Sequence, residues 1–117
     1  MSPQNKAFVG AVDSWRASFI SLLKRAGVDS TVYASKHFCE RVVERNLEIV
    51  DVLHLITPVI REHRETTYNI RRYIIQWRDI GLVAEINIGP ISKKRQVILK
   101  TIYDKIYPGD FEVHIKM

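Results

Sequence analysis

The apolar residues in the first part of the chain recur at the spacing of a helix. The set is Phe8, Val12, Trp15, Phe19, Leu22, Leu23 and Ala26. A period of three to four residues predicts a helix with one buried face. Lys24 and Arg25 suit its C-terminus, and Gly27 suits the left-handed residue that commonly ends a helix.

Two further helices are predicted before residue 58. Asp29 or Ser30 can cap a second helix that runs to about Arg45. Its apolar stripe comprises Phe38, Cys39, Val42 and Val43. A third, shorter helix is expected over residues 48–56, because Pro58 disfavours its continuation.

After Pro58 the pattern changes to short β-branched and aromatic runs that are typical of strands. The predicted strands are residues 59–64, 68–77, 82–88, 95–103 and 111–116, with turns or loops at 79–81, 89–93 and 108–110. The last strand is short and is expected at an edge. Helices followed by hairpin-connected strands predict a single α+β domain over residues 1–117. In it, two to three N-terminal helices pack on one face of a four- to five-stranded antiparallel sheet.

The positive charge of the chain lies in its second half. The formal net charge is +5, from 18 Lys and Arg against 13 Asp and Glu. Residues 61–100 hold nine bases and four acids, so the entire excess falls there. One electropositive surface favours nucleic acid as a partner, although a mildly basic protein without such a partner would show the same balance.

Other classes of chemistry find little support in the sequence. The single cysteine, Cys39, excludes an internal disulfide and suits a small buried filler better than a nucleophile. The four histidines lack the spacing of metal ligands, so no metal site is expected. Nucleotide-loop and hydrolase motifs are absent from the sequence, so no cofactor is expected either. The polar start and the lack of a membrane-length apolar run predict a cytoplasmic protein.

The most informative motif is a row of polar residues at four-residue spacing: His37, Arg41 and Arg45. On a helix these side chains share one stripe, which here borders the apolar stripe of the second helix. An imidazole beside two guanidiniums suits the handling of a phosphodiester. A solvated helix face would produce the same residues, so the row needs support from elsewhere.

Cleavage of RNA by its own 2′-hydroxyl requires a base, an acid and cations, and it requires no metal. His37 is the best candidate for the base or the acid. His63 is the second choice, since strand alternation places it beside Arg61. His54 is expected to be structural and His114 to be solvated.

Several cations and aromatic residues in the second half could bind RNA. Arg72 and Lys100 lie inside predicted strands, and Arg71 should point away from Arg72. Lys93, Lys94 and Arg95 form a loop cluster suited to a phosphate backbone. The aromatic residues that could stack on bases, or equally pack in the core, are Tyr68, Tyr73 and Trp77.

Residues 26–30 are Ala-Gly-Val-Asp-Ser and residues 33–37 are Tyr-Ala-Ser-Lys-His, followed by Arg41, Arg45 and Val52. This order resembles RegB, a phage endoribonuclease. A His-x3-Arg-x3-Arg helix followed by a sheet with a strand such as residues 98–103 is also similar to small RelE-like proteins. The resemblance covers residues 20–56 well and the strands in outline.

The resemblance implies a RelE-like ribonuclease fold and metal-free cleavage of mRNA to a cyclic phosphate, in a protein of phage origin aided by a ribosomal protein. It implies catalytic roles for His37, Arg41 and Arg45, whereas His63 is proposed from its position alone. A non-catalytic alternative stays open: an RNA-binding or host-factor-inhibiting phage protein on the same fold.

Overall fold

The computed structural model describes residues 6–67, 70–104 and 111–117, which form an α+β fold. Helix α1 (Lys6–Arg25) buries Val12, Phe19 and Leu23 from the apolar stripe. Just after the helix, Gly27 adopts a left-handed φ of 72°, which glycine tolerates because it has no Cβ. The first predicted helix and its terminating residue are therefore confirmed.

Helix α2 (Lys36–Glu44) begins later than the sequence pattern predicts. Residues before it form a short strand, β1 (Val32–Ala34), and the helix cap is Ser35. The predicted start at residues 29–30 is wrong, because the run Val-Tyr-Ala pairs with a strand far along the chain, which local periodicity cannot reveal. The predicted buried stripe is confirmed for Phe38, Cys39 and Val42.

Helix α3 (Ile49–Glu65) continues through Pro58, so both the predicted stop and the predicted strand over residues 59–64 are wrong. Proline inside a helix costs about 3 kcal/mol through a lost hydrogen bond and a clash. Continuing the helix buries Val59 and Ile60, and burial of two such side chains contributes about 3–6 kcal/mol. Packing thus offsets the local preference.

Four more strands complete one sheet. They are β2 (Arg71–Trp77), β3 (Ile80–Ile88), β4 (Arg95–Tyr103) and β5 (Val113–Lys116). The spatial order is β1-β4-β3-β2-β5, which confirms β5 as an edge strand. The start of the predicted second strand at Tyr68 and the predicted turn at residues 108–110 lie outside the described residues.

The sheet is mixed, and the prediction of a purely antiparallel sheet is wrong. The hairpin-connected strands β2, β3 and β4 pair antiparallel, whereas β1 pairs with β4 and β5 pairs with β2 in parallel. A tight turn forces the next strand to reverse direction, and neither edge strand is joined to its partner by one. The direction of both edge strands therefore could not be predicted from tight turns.

The helices pack on one face of the sheet, and the other face is left for a polar cleft. Helix α3 contacts the three central strands, α2 lies against β4, and α1 packs on both other helices. Strand residues in the shared core include Tyr73, Ile75, Leu82, Ala84, Leu99 and Ile102. On the opposite face Ile74, Val83 and Ile98 are also buried.

An irregularity in β4 changes which residues face the polar side. Thr101 pairs with Val83, but Leu99 pairs with the next residue of β3, Ala84. Lys100 is therefore the extra residue of a β-bulge, and two consecutive side chains can project on the same side. Both Lys100 and Thr101 line the cleft on the open face.

Candidate functional site

A cleft of about 620 Å³ lies between α2 and the open face of the sheet. We call it the helix–sheet cleft; its lining residues are His37, Arg41, Arg72, Val83, Glu85, Lys100, Thr101, Tyr103 and Phe111. The cleft brings together four residues that the sequence singled out, namely His37, Arg41, Arg72 and Lys100. They come from one helix and two strands that are distant in the chain.

His37 lies in the first turn of α2 and contacts the sheet. Its Nε2 is 3.0 Å from Thr101 Oγ1, within hydrogen-bond distance, and the tautomer of the ring determines which group donates. The unpaired N–H groups and the dipole at a helix N-terminus favour anions nearby. His37 is thus held by the sheet at the end of the helix where a phosphate is favoured.

A single hydroxyl joins the start of α2 to the β-bulge. Ser35 Oγ accepts a hydrogen bond from Phe38 N at 3.0 Å and donates one to Lys100 O at 3.3 Å. The backbone N of Ser35 also donates to Leu99 O at 3.2 Å. These bonds hold the first helical turn, and with it His37, beside the bulged part of β4.

The cleft carries an excess of positive charge. Three cations line it, Arg41, Arg72 and Lys100, against one carboxylate, Glu85. Arg41 Nη1 pairs with Glu44 at 3.1 Å, while its Nε is buried without a hydrogen-bond partner among the described residues.

The other two cations are held more loosely. Arg72 is 52% exposed, and its Nε is 3.9 Å from Glu85 Oε2. Lys100 is exposed and forms no ion pair within the described part of the chain. Guanidinium and ammonium groups in this state can bind an incoming phosphate without first breaking a strong internal pair.

Glu85 is a cleft residue that the sequence reasoning missed. Its side chain is only 13% exposed, and Oε1 accepts a hydrogen bond from Asn87 Nδ2 at 2.8 Å. One signal could have identified it: a lone acid between Ala84 and Ile86 in an otherwise apolar run requires a polar environment in the fold. Thr101 and Tyr103 were likewise overlooked, because the bulge changes the facing of β4.

Arg45 does not join the row in the helix–sheet cleft. It is the residue at which α2 ends, with φ −100°, and it pairs with Asp104 through Nε at 2.8 Å and Nη2 at 2.6 Å. It lines a separate pocket of about 450 Å³, which we call the side pocket; its lining residues are Arg45, Leu47, Trp77, Arg78, Asp79, Ile80 and Asp104. The predicted row is therefore divided between two neighbouring cavities.

His63 lies far from the helix–sheet cleft. It belongs to α3 instead of a strand, and its Nε2 is 3.0 Å from the carbonyl oxygen of Arg95. Thr101 follows Arg95 by six positions in the strand, which corresponds to about 20 Å of extended chain. His63 and His37 thus contact opposite ends of the same strand, β4.

The predicted basic loop lies at the His63 end of the sheet. Lys93 Nζ donates to Pro90 O at 2.9 Å, and Lys94 is exposed. Arg95 donates to the carbonyl oxygens of Thr66 at 2.8 Å and His63 at 3.0 Å. The three cations predicted to bind phosphate therefore do not line the helix–sheet cleft.

The remaining sequence predictions have mixed outcomes. His114 is exposed as expected, whereas His54, expected to be structural, is also exposed. Cys39 is fully buried, and burial raises the pKa of its thiol to about 11, which confirms a buried filler. Tyr73 is fully buried in the core, and Trp77 is partly buried with the Arg78 guanidinium 4.2 Å from its ring centroid.

Comparison with known proteins gives no relative. No protein-family model, curated protein or solved structure matches the chain. Within residues 6–67, 70–104 and 111–117, no helix has the length and apolarity needed to cross a membrane. The same ranges contain no cluster of three or more His, Cys, Asp or Glu residues that could hold a metal ion.

Proposed function

We propose that the protein is a metal-independent endoribonuclease that cleaves mRNA through the 2′-hydroxyl. The single observation that carries the proposal is the convergence of His37 with three cations and Glu85 in the helix–sheet cleft. An imidazole and a carboxylate can act as an acid–base pair, and the cations can stabilise a pentavalent phosphorane. The resemblance to RegB and RelE-like proteins supplies the reaction class.

In the proposed reaction Glu85 removes the proton of the 2′-hydroxyl. The 2′-oxygen forms a new bond to phosphorus, and the bond from phosphorus to the 5′-oxygen breaks. Protonated His37 donates its proton to the departing oxygen, which leaves a 2′,3′-cyclic phosphate and a 5′-hydroxyl. Arg41, Arg72 and Lys100 neutralise the charge that builds on the phosphoryl oxygens.

Glu85 replaces His63 as the proposed second proton-transfer group. A strand residue of the cleft can reach the same phosphate as His37, whereas His63 contacts the far end of β4. Because one group must be protonated and the other ionised, the cleavage rate should show a bell-shaped dependence on pH. The proposal also includes a cytoplasmic location, mRNA as the partner and, from the resemblance to RegB, a ribosomal protein that assists cleavage.

The test is cleavage of structured mRNA by the purified protein, with the cut ends mapped and EDTA added. The expected products carry a 3′ end that resists phosphatase until acid opens the cyclic phosphate. His37→Gln and Glu85→Gln should each reduce the rate by about 10²–10⁴-fold, and EDTA should have no effect. Equal cleavage by wild type and His37→Gln, or loss of cleavage with EDTA, would overturn the mechanism.

One observation favours the alternative of a non-catalytic RNA-binding protein. Lys93 and Lys94 form an exposed basic loop outside the cleft, which the proposed reaction does not use. If these charges bind a phosphate backbone, RNA affinity should fall steeply between about 50 and 200 mM salt and the slope should decrease in Lys93→Gln/Lys94→Gln. Salt-dependent binding without any cleavage would favour this alternative, and tight salt-independent binding to a host protein would favour the inhibitor version.

A further inference from the structure

The side pocket adjoins the helix–sheet cleft at two points of the chain. Arg45 follows Arg41 by one turn of α2, and Asp104 directly follows Tyr103 of the cleft. Glu44 lies between the two arginines, with Oε2 3.1 Å from Arg41 Nη1 and 3.9 Å from Arg45 Nη1. An RNA strand with one phosphate in the cleft can therefore place a neighbouring nucleotide in the side pocket.

The wall of the side pocket offers a flat surface for stacking. The Arg78 guanidinium lies 4.2 Å from the centroid of the Trp77 ring, and Arg78 itself is exposed. The guanidinium therefore lies over the indole, and the exposure of Arg78 leaves this group accessible to a ligand. Guanidinium planes as well as aromatic rings stack on unpaired RNA bases.

The backbone at Arg78 is unusual for the residue that occupies it. The two residues between β2 and β3 are Arg78 and Asp79, and Arg78 has a φ of 55°. Tight hairpin connections of this kind favour Asn or Gly at left-handed positions. An arginine held there at a cost in backbone strain is a reason to look for a function of its side chain.

Two carboxylates complete the side pocket, and both can accept hydrogen bonds. Asp79 is exposed and has no ion pair within the described part of the chain. Asp104 is 76% exposed and receives both Arg45 contacts on Oδ1, so Oδ2 has no partner among the described residues and can accept a hydrogen bond from a ligand. Since an ionised carboxylate only accepts hydrogen bonds, a matching base must present N–H donors.

This requirement distinguishes between the nucleobases. Adenine, cytosine and guanine carry an exocyclic amino group with two N–H bonds, whereas uracil has its ring N–H alone and presents a carbonyl oxygen where cytosine presents its amino group. A carbonyl oxygen facing Asp79 or Asp104 would place two acceptors against each other. We propose that the side pocket is a nucleobase subsite next to the scissile phosphate, which stacks a base on Arg78, binds its amino group through these carboxylates and discriminates against uracil. This inference rests on the proposed function and extends it to base selection.

Binding of CMP and UMP tests the subsite without any cleavage. The two nucleotides match in size and charge and differ at the group that the carboxylates would bind. The chain has two tryptophans, so Trp15→Phe leaves Trp77 as the single indole fluorophore. In that background CMP should bind about ten times more tightly than UMP, as the loss of a charge-assisted hydrogen bond requires.

Two variants identify the groups responsible. Asp79→Asn gives the side chain a donor that suits uracil, so the ratio of the two affinities should fall well below its wild-type value. Arg78→Lys keeps the charge but removes the planar surface, so both nucleotides should bind more weakly. Equal affinity for CMP and UMP, or a ratio unaffected by Asp79→Asn, would overturn the proposal, provided that thermal unfolding shows both variants to be folded.

Mapping of cut sites separates this inference from the proposed function. If wild-type protein cleaves RNA without avoiding uracil on either side of the cut, the subsite is wrong and the ribonuclease stands. If wild-type protein cleaves nothing yet prefers CMP through Asp79, the base-binding pocket stands and the ribonuclease is wrong. The full proposal requires two results. Wild-type protein must cut RNA at sites that avoid uracil at one flanking position, and Asp79→Asn must also cut at sites with uracil at that position.

Discussion

The two ends of strand β4 carry similar residue types in different surroundings. At the cleft end, Lys100 and Thr101 project into the helix–sheet cleft with His37 in contact. At the loop end, the His63 ring is within hydrogen-bond distance of the Arg95 carbonyl oxygen, and the Arg95 guanidinium donates to the His63 carbonyl oxygen. These two contacts fix the start of β4 against the end of α3. Both ends thus combine a histidine with a cation from the same strand.

The two ends differ in the partners of their cationic side chains. At the loop end the Arg95 guanidinium donates to carbonyls of the α3 C-terminus, where a cation also interacts favourably with the helix dipole. At the cleft end the cations face a cavity: the Arg72 guanidinium is 3.9 Å from the Glu85 carboxylate, and Glu112 accepts a hydrogen bond from the backbone N of Arg72 at 2.8 Å. The same residue types therefore stabilise the fold at one end and remain available to a ligand at the other.

The largest expected contrast is between the two histidines. His37→Gln should reduce RNA cleavage by about 10²–10⁴-fold, because it removes the proposed acid. His63→Gln should leave the rate within about twofold and lower the free energy of unfolding by about 0.5–1.5 kcal/mol through its hydrogen bond to Arg95 O. Single-turnover rates and urea titrations measure the two effects, and a comparable loss of rate in both variants would contradict the contrast.

The two cations of β4 provide the next contrast. Lys100→Met should lower the cleavage rate about 10-fold or more, because it removes a charge from the phosphorane site, while the stability of the protein changes little. Arg95→Met should lower the free energy of unfolding by about 1–3 kcal/mol, since it leaves two carbonyls of the α3 end without their donor. If instead Lys100→Met unfolds the protein at lower urea than Arg95→Met does, the assignment of the two ends is reversed.

A smaller effect is expected from the serines at the two ends. Ser35→Ala removes both the α2 cap and the bond to Lys100 O, so it should cost about 1 kcal/mol of unfolding free energy and also slow cleavage by displacing His37. Ser92→Ala removes a hydroxyl bonded only within the 89–94 loop among the described residues and should stay within about 0.5 kcal/mol of wild type. A second substitution that restores the stability of Ser35→Ala without restoring its cleavage rate would show that Ser35 positions His37.

The smallest effect concerns Cys39, which is fully buried in α2. Burial raises the pKa of its thiol to about 11, so at pH 8 roughly one thiol in a thousand is ionised. Alkylation should be negligible in the folded protein and rapid in urea. Because the folded pKa lies above the unfolded one, the neutral thiol contributes stability below about pH 9, and this contribution is lost as the pH rises towards 11.

Helical periodicity and strand alternation predicted much of the cleft from local patterns. They gave the bounds of β4, the buried stripe of α2 and the opposite facing of Arg71 and Arg72, of which Arg72 lines the cleft and Arg71 lies 4.0 Å from Glu62 of α3. These features depend on neighbouring residues, whose spacing the sequence displays directly.

The rest depended on partners distant in the chain. Strand β1 exists because it pairs with β4, and α3 passes Pro58 because the core beyond it accepts two more apolar side chains. Glu85 joins His37 only through the packing of α2 on the sheet. Burial and pairing at long range decide such features; the local pattern shows at most that Glu85 requires a polar environment, and it does not show which residues Glu85 meets.

The bulge at Lys100 makes the site depend on the number of residues in β4 as well as on their identity. A regular strand alternates its faces, so without the extra residue only one of Lys100 and Thr101 could lie in the cleft between the core residues Leu99 and Ile102. Deleting Lys100 would restore a regular ladder that keeps Thr101 opposite Val83 and Ile102 in the core. The deletion would therefore remove one cation and leave the partner of His37 in place, which separates the contribution of the charge from that of the histidine contact.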